Sequence, residues 1–399
     1  MDERFKSLFR PLVLPNGTVL KHRFVLSPMV TNSSTAHGLV TEDDIQYAAR
    51  RAASAHLQIT GAAYVDEYGQ LFEYGFSSAK DEDIPGLKKL AQAMKSKGGK
   101  AILQLTHAGR FSTHTLKKYG FVYGPSPMRL NAPQPHEVKA LSVEQIEAIV
   151  ERYAQATRRA IAAGFDGVEI SSAQRLLIQT FFSTFSNQRT DEYGVQSLVT
   201  RSKIGLDVLR AVQSVITEEA PENFILGFRG TPEETRGDSI GYTVDEFIQF
   251  VEWALEVAHL DYLAIASWGH DAFRNKIRAK GPVQGALVNQ VVWEHFKGRL
   301  PVMATGGINT PEKAMEALAH TDFIGASTPL VVDPEFVVKM MNGEEDMIQL
   351  KIRLEDLEQL AIPSASFKDI VPLMDYGESL PQEARTLFRS LESNYKERS

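Results

Sequence analysis

The chain has 399 residues, 43 basic and 50 acidic side chains for a formal net charge of −7, and no cysteine. The missing thiols exclude disulfides, iron–sulfur clusters, thiolate zinc sites and thiol catalysis. At this length roughly three quarters of the unfolded surface can be buried, so the core needs no crosslink or structural metal, and one α/β barrel is as admissible as several smaller domains. Residues 1–10 mix Asp2, Glu3, Arg4 and Lys6 without an apolar stretch, unlike a secretory leader. No segment approaches the ~18 consecutive apolar residues of a membrane span, and the acidic balance lacks a basic cluster for nucleic acid. A cytoplasmic protein with a small-molecule partner, and neither nucleic acid nor membrane, is the expectation.

Taken in chain order, Leu12–Leu20 reads as a hairpin turning at Asn16-Gly17, placed to plug one end of a barrel. Eight short runs rich in Val, Ile, Leu and Phe follow, near Phe24–Pro28, Leu57–Thr60, Ala101–Leu105, Gly167–Ile170, Phe224–Phe228, Asp261–Ile265, Pro301–Ala304 and Asp322–Ala326. Their nearly continuous apolar character suits parallel strands covered on both faces. Helices fall between them. Ser142 with Gln145, and Thr243 with Glu246, form capping boxes ahead of apolar stripes, and Thr310-Pro311 is a further start signal. This alternation predicts a single (β/α)8 barrel over residues 1–344, with a charge-rich helical extension over 345–399 broken by Pro363, Pro372 and Pro381. An open doubly wound sheet is the runner-up, but no G-x-G-x-x-G follows any strand.

In such a barrel the chemistry sits at the C-terminal strand ends. Those ends carry Ser27 to Val30, Gly61-Ala62, Gln104 to His107, Ser171 to Gln174, Arg229, Trp268 to His270, Gly306-Gly307 and Ser327-Thr328. Gly306-Gly307 reads as a phosphate cradle or as an ordinary glycine turn. Arg229 suits an anionic ligand, or a neighbouring carboxylate such as Glu233. Gln104 suits the edge of a heteroaromatic ring, or a satisfied position in the core. No histidine pattern suggests a metal site.

Taken together these pieces resemble the Old Yellow Enzyme family of FMN-dependent NAD(P)H:flavin oxidoreductases. The resemblance rests on Leu8-Phe9-Arg10-Pro11, Arg23 to Met29, Gln104 to Arg110, Gly124-Pro125-Ser126, Ala163 to Ile170 and Ser186 to Gly194, in order from about residue 8 to 340. It implies bound FMN, with NADH or NADPH as hydride donor and a small acceptor using the same pocket by a ping-pong scheme. It further implies that Pro28, Met29, Val30 and Ala62 lie along the flavin ring, that Gln104 and Arg229 hold its edge, and that Gly306, Gly307, Ser327 and Thr328 surround its phosphate. The family is often oligomeric, so a homo-oligomer is also an expectation.

Four family positions are altered. The His-x-x-His or His-x-x-Asn pair that holds the acceptor's oxygen reads Ser171-Ser172-Ala173-Gln174. Pocket tyrosines are replaced by Asn32 and Leu176, the flavin-tuning Cys or Thr by Val30, and the Gly-Arg of the phosphate site by Ser327-Thr328. Losing one charge-assisted phosphate contact costs about 1.5–3 kcal/mol, whereas removing an oxyanion donor costs on the order of 10²–10³ in rate. The expectation is therefore a flavin enzyme in which Ser171, Gln174 and Arg229 serve catalysis and ordinary enones are poor acceptors, with Trp268 or His270 as alternative contacts for a different acceptor. The rivals are a flavin-binding barrel without efficient turnover and a barrel that holds another phosphorylated ligand.

Overall fold

A computed structural model describes residues 2–362 and 371–392. Eight parallel strands close a barrel: β1 Phe24–Leu26, β2 Leu57–Tyr64, β3 Lys100–Thr106, β4 Gly167–Ser172, β5 Ile225–Gly230, β6 Tyr262–Ile265, β7 Val302–Thr305 and β8 Phe323–Ala326. Each pairs with its sequence neighbour, and β8 returns to β1. The expected runs are all present. The second is longer than expected because a register shift between Ile59 and Ala62 lets its pairing with β3 continue to Tyr64.

The helices α1 Glu42–Arg51, α2 Ile84–Lys95, α3 Val143–Ala162, α4 Leu198–Glu219, α5 Val244–Val257, α6 Val288–Phe296, α7 Pro311–Leu318 and α8 Phe336–Asn342 connect or follow the strands. The boxes at Ser142/Gln145 and Thr243/Glu246 form as expected, and Thr41/Asp44 and Ser197/Thr200 add two more. Each N-cap contributes about 1 kcal/mol and fixes where the preceding loop must end.

The hairpin Leu12–Val13/Val19–Leu20 forms. Leu14 and Leu20 pack with Val25, Leu57, Ile102 and Ile225 inside the barrel, while the Asn16 amide donates to Asp261 Oδ1 at 2.9 Å. Asp261 stands just before β6, so the plug lies at the N-terminal end and leaves the opposite end free for a site. Two small sheets escape the sequence reading: Phe121–Gly124 with Met128–Leu130 and His136–Ala140, and the hairpin Glu234–Arg236/Ser239–Tyr242. Both are inserted after barrel strands, and their three- to five-residue strands are too short to show a period.

Beyond the barrel, α9 Val371–Gly377 and α10 Gln382–Glu392 pack back onto it. Met374, Leu380, Phe388 and Leu391 form one cluster with Tyr47, Phe72, Val331 and Ile352. Arg51, fully buried, ties the extension down by donating to the carbonyls of Leu330, Val331 and Leu360 at 3.0, 2.6 and 3.0 Å. Pro363, with residues 363–370 and 393–399 of the expected extension, lies outside the described residues.

Candidate active site

Register brings the key side chains together. Gln104 of β3 is level with Glu169 of β4, Glu169 with Gly227 of β5, and Gly227 with Tyr262 of β6. Glu169 is completely buried and accepts from all three flanks: Arg229 Nε at 2.7 Å and Nη2 at 3.3 Å, Gln104 Nε2 at 2.7 Å, and Tyr262 Oη at 3.0 Å. Gly227 makes the last contact feasible, because a Cβ there would fall 2.1 Å from Tyr262 Cζ. Burial, then the Glu169 charge, raises the Tyr262 phenol well above its ordinary range, so it remains a donor.

This arrangement fixes orientation. A carboxylate accepts only, so the Gln104 amide must turn its NH2 inward and its Oε1 away from Glu169. Arg229 is likewise spent on one side, with Nη2 also 3.4 Å from Ser27 Oγ, while Nη1 has no hydrogen bond among the described residues. Arg229 is therefore paired, and its partner is Glu169 rather than Glu233, which instead accepts from the backbone N–H groups of Arg278 and Ala279. The sequence reading placed Glu169 in a strand without giving it a role. The signal was there: a charge in a wholly buried strand demands a partner.

All twelve expected site residues line a single cavity of about 430 Å³ at the C-terminal mouth: Pro28, Met29, Val30, Ala62, Gln104, Ser171, Gln174, Arg229, Gly306, Gly307, Ser327 and Thr328. Trp268 and Leu176 line it too. Asn32 and His270 do not; Asn32 is buried elsewhere, and His270 is an exposed ring 3.8 Å from Asp271. Gln174 and Arg175 both have left-handed backbone, at φ 57° and 65°. Such strain costs of order 1–3 kcal/mol per residue. It is held by the Gln174 amide on Thr231 Oγ1 at 3.0 Å and the Arg175 amide on Gln179 Oε1 at 2.6 Å.

At the far end, Gly306 and Gly307 have φ of 93° and 84°. The loop after β6 presses against them, and a Cβ on Gly307 would lie 2.5 Å from Asp271 Oδ1. Lys313 and Arg274 hold that carboxylate at 2.7 and 2.6 Å. Ser327 Oγ and Thr328 Oγ1 make no hydrogen bond among the described residues, and both residues face the cavity. His107, three residues beyond Gln104 in the chain, is buried outside the cavity; its Nδ1 accepts from Gly109, and burial pushes the imidazole down to about 4.

A barrel-mouth cavity with an amide and a guanidinium at one end, and a glycine turn with free hydroxyls at the other, defines a flavin-binding oxidoreductase barrel. The volume is within the usual range for a cofactor site, and the unspent Gln104 Oε1 and Arg229 Nη1 match an N–H/C=O ring edge, so the residues present fit FMN. A profile of the NADH:flavin oxidoreductase / NADH oxidase family matches residues 7–347, and the chain belongs to that family. It is an FMN-dependent, NAD(P)H-linked oxidoreductase.

The chain is 70% identical to an uncharacterized oxidoreductase of Streptococcus pyogenes serotype M5 (strain Manfredo) over 100% of both chains. It is 33% identical to a probable NADH-dependent flavin oxidoreductase of Bacillus subtilis (strain 168), covering 93% of this chain and 97% of that one. Among solved structures, morphinone reductase in complex with tetrahydroNAD matches with a TM-score of 0.69 at 26% identity, covering 85% and 91% of the two chains. The chain spans about half the length of two larger solved proteins that share the fold. Among the described residues no helix is long and apolar enough to cross a membrane.

Proposed function

We propose that this protein passes hydride from NAD(P)H to a small acceptor in two half-reactions that share one pocket, and that ordinary enones are poor acceptors. The observation that carries this reading is the Glu169 hub, which aims Gln104 and Arg229 at the same cavity that Ser171 and Gln174 line. FMN, when bound, supplies the two-electron centre that links the half-reactions.

Gln104 Oε1 would accept from the ring's N–H edge, and Arg229 Nη1 would offer positive charge where negative charge gathers on reduction. Pro28, Met29, Val30 and Ala62 would line the ring. Gly306, Gly307, Ser327 and Thr328 would receive the phosphate through backbone N–H and hydroxyl donors. On the acceptor side Ser171 and Gln174 orient a carbonyl by neutral hydrogen bonds, with less polarising power than an imidazole pair. Among the described residues lining the cavity there is no Tyr, His, Asp, Glu or Lys. An enone needs a proton delivered to carbon from such a group, whereas a quinone or oxygen takes its protons from water.

The test is anaerobic stopped-flow mixing. NADH or NADPH is expected to bleach the bound flavin within seconds, and the reduced protein is expected to reoxidise rapidly with a quinone and slowly with 2-cyclohexenone. Rapid reoxidation by cyclohexenone would contradict the acceptor reading, and flavin that stays yellow with both donors would contradict the whole.

A further inference from the structure

The cavity has a wall that the family profile does not reach. The profile ends at residue 347, yet Met374, Gly377 and Ser379 line the same cavity as Gln104 and Arg229. Met374 is buried in one cluster with Met29, Val30, Leu71 and Phe72. The segment is pinned across the mouth where Asn309 Nδ2, just past the Gly306-Gly307 turn, donates to the Ser379 carbonyl at 2.7 Å.

We infer that Met374, Gly377 and Ser379 complete the acceptor pocket, and that this pocket selects an uncharged, flat acceptor of the quinone class over a carboxylate. The inference rests on the two-half-reaction reading above. Leu71, Phe72, Phe111, Leu176, Trp268 and Met374 give the cavity a largely apolar lining, beside the neutral polar side chains of Thr113, Ser171 and Gln174. Among the described lining residues the one charged group is Arg229, already engaged by both oxygens of Glu169. A carboxylate entering here loses its hydration and meets no uncommitted cation. A neutral ring exchanges water for aromatic faces and the polarisable sulfur of Met374. The reaction balances: NAD(P)H gives up a hydride, solvent gives a proton, and the quinone gains both as the two O–H groups of a hydroquinone, leaving NAD(P)⁺.

The experiment uses the FMN-loaded full chain in its oxidised state and follows the flavin absorbance during titration with menadione or fumarate. Menadione is expected to perturb the spectrum saturably and fumarate to leave it unchanged. Met374→Ala should weaken menadione about tenfold, and Met374→Leu should restore it to within about threefold. Gly377→Leu, which fills the wall instead of emptying it, should also weaken menadione while FMN content stays constant. Fumarate binding as tightly as menadione, or menadione affinity unmoved in both Met374→Ala and Gly377→Leu, would overturn the inference. Anaerobic NADH bleaching of the same samples separates the two levels. Intact bleaching with unmoved menadione affinity removes only the pocket assignment, whereas no bleaching in the wild type removes the underlying function and this inference with it.

Discussion

The two ends of the cavity are built on opposite plans. At the end proposed for the ring, one buried carboxylate takes hydrogen bonds from Arg229, Gln104 and Tyr262, and it fixes which end of the Gln104 amide faces the cavity. At the end proposed for the phosphate, the lining is Gly306, Gly307, Ser327 and Thr328, and the nearby cations Lys313 and Arg274 are committed to Asp271. The difference separates recognition from anchoring. Under the proposed function, the ring end would specify which heterocycle binds and what happens to its charge, and the phosphate end would offer only neutral donors.

The largest break in this contrast comes from Glu169. Glu169→Ala leaves Arg229 as a buried, unpaired charge and is expected to cost about 3–5 kcal/mol of folding stability, measured by urea denaturation. Next in size is Arg229→Lys. It keeps a charge but cannot serve Glu169 bidentately and the ring together, so anaerobic bleaching by NADH should slow on the order of 10²-fold.

Proton linkage at His107, outside the cavity, is comparable in energy. Buried His107 stays neutral in the folded chain down to about 4, against an ordinary 6.5 when unfolded. The unfolded state therefore binds the extra proton between those values, and His107 alone lowers stability by about 3 kcal/mol as pH drops from 6.5 towards 4. A His107→Gln variant should show a shallower loss over the same range.

At the phosphate end the effects are smaller and one of them is a gain. Thr328→Arg should tighten FMN about ten- to a hundredfold and leave riboflavin unchanged, as read by fluorescence quenching. Ser327→Ala, which removes one neutral donor, should weaken FMN by no more than about tenfold.

What the sequence made legible follows the same division. Strand ends, capping boxes and the plug hairpin are local signals, and the barrel rule then collects Pro28, Gln104, Arg229 and Gly306 at one mouth. The hub was harder to read. Glu169 and Tyr262 become partners only through the register of β4, β5 and β6 and the space left by Gly227, and sequence proximity pointed Arg229 to Glu233 instead. The wall formed by Met374 and Ser379 was also hidden, because nothing local says where an extension returns. The small sheets after β3 and β5 were missed because their strands are shorter than any usable period.

On the proposed function the ring, rather than the phosphate, governs flavin binding here. The most direct measurement is a side-by-side titration of flavin-free protein with riboflavin and FMN, followed by flavin fluorescence. The expected result is dissociation constants within about tenfold of one another, with little response to salt. FMN binding more than about a hundredfold tighter, weakening steeply as salt is added, would show a cation at the phosphate and contradict it.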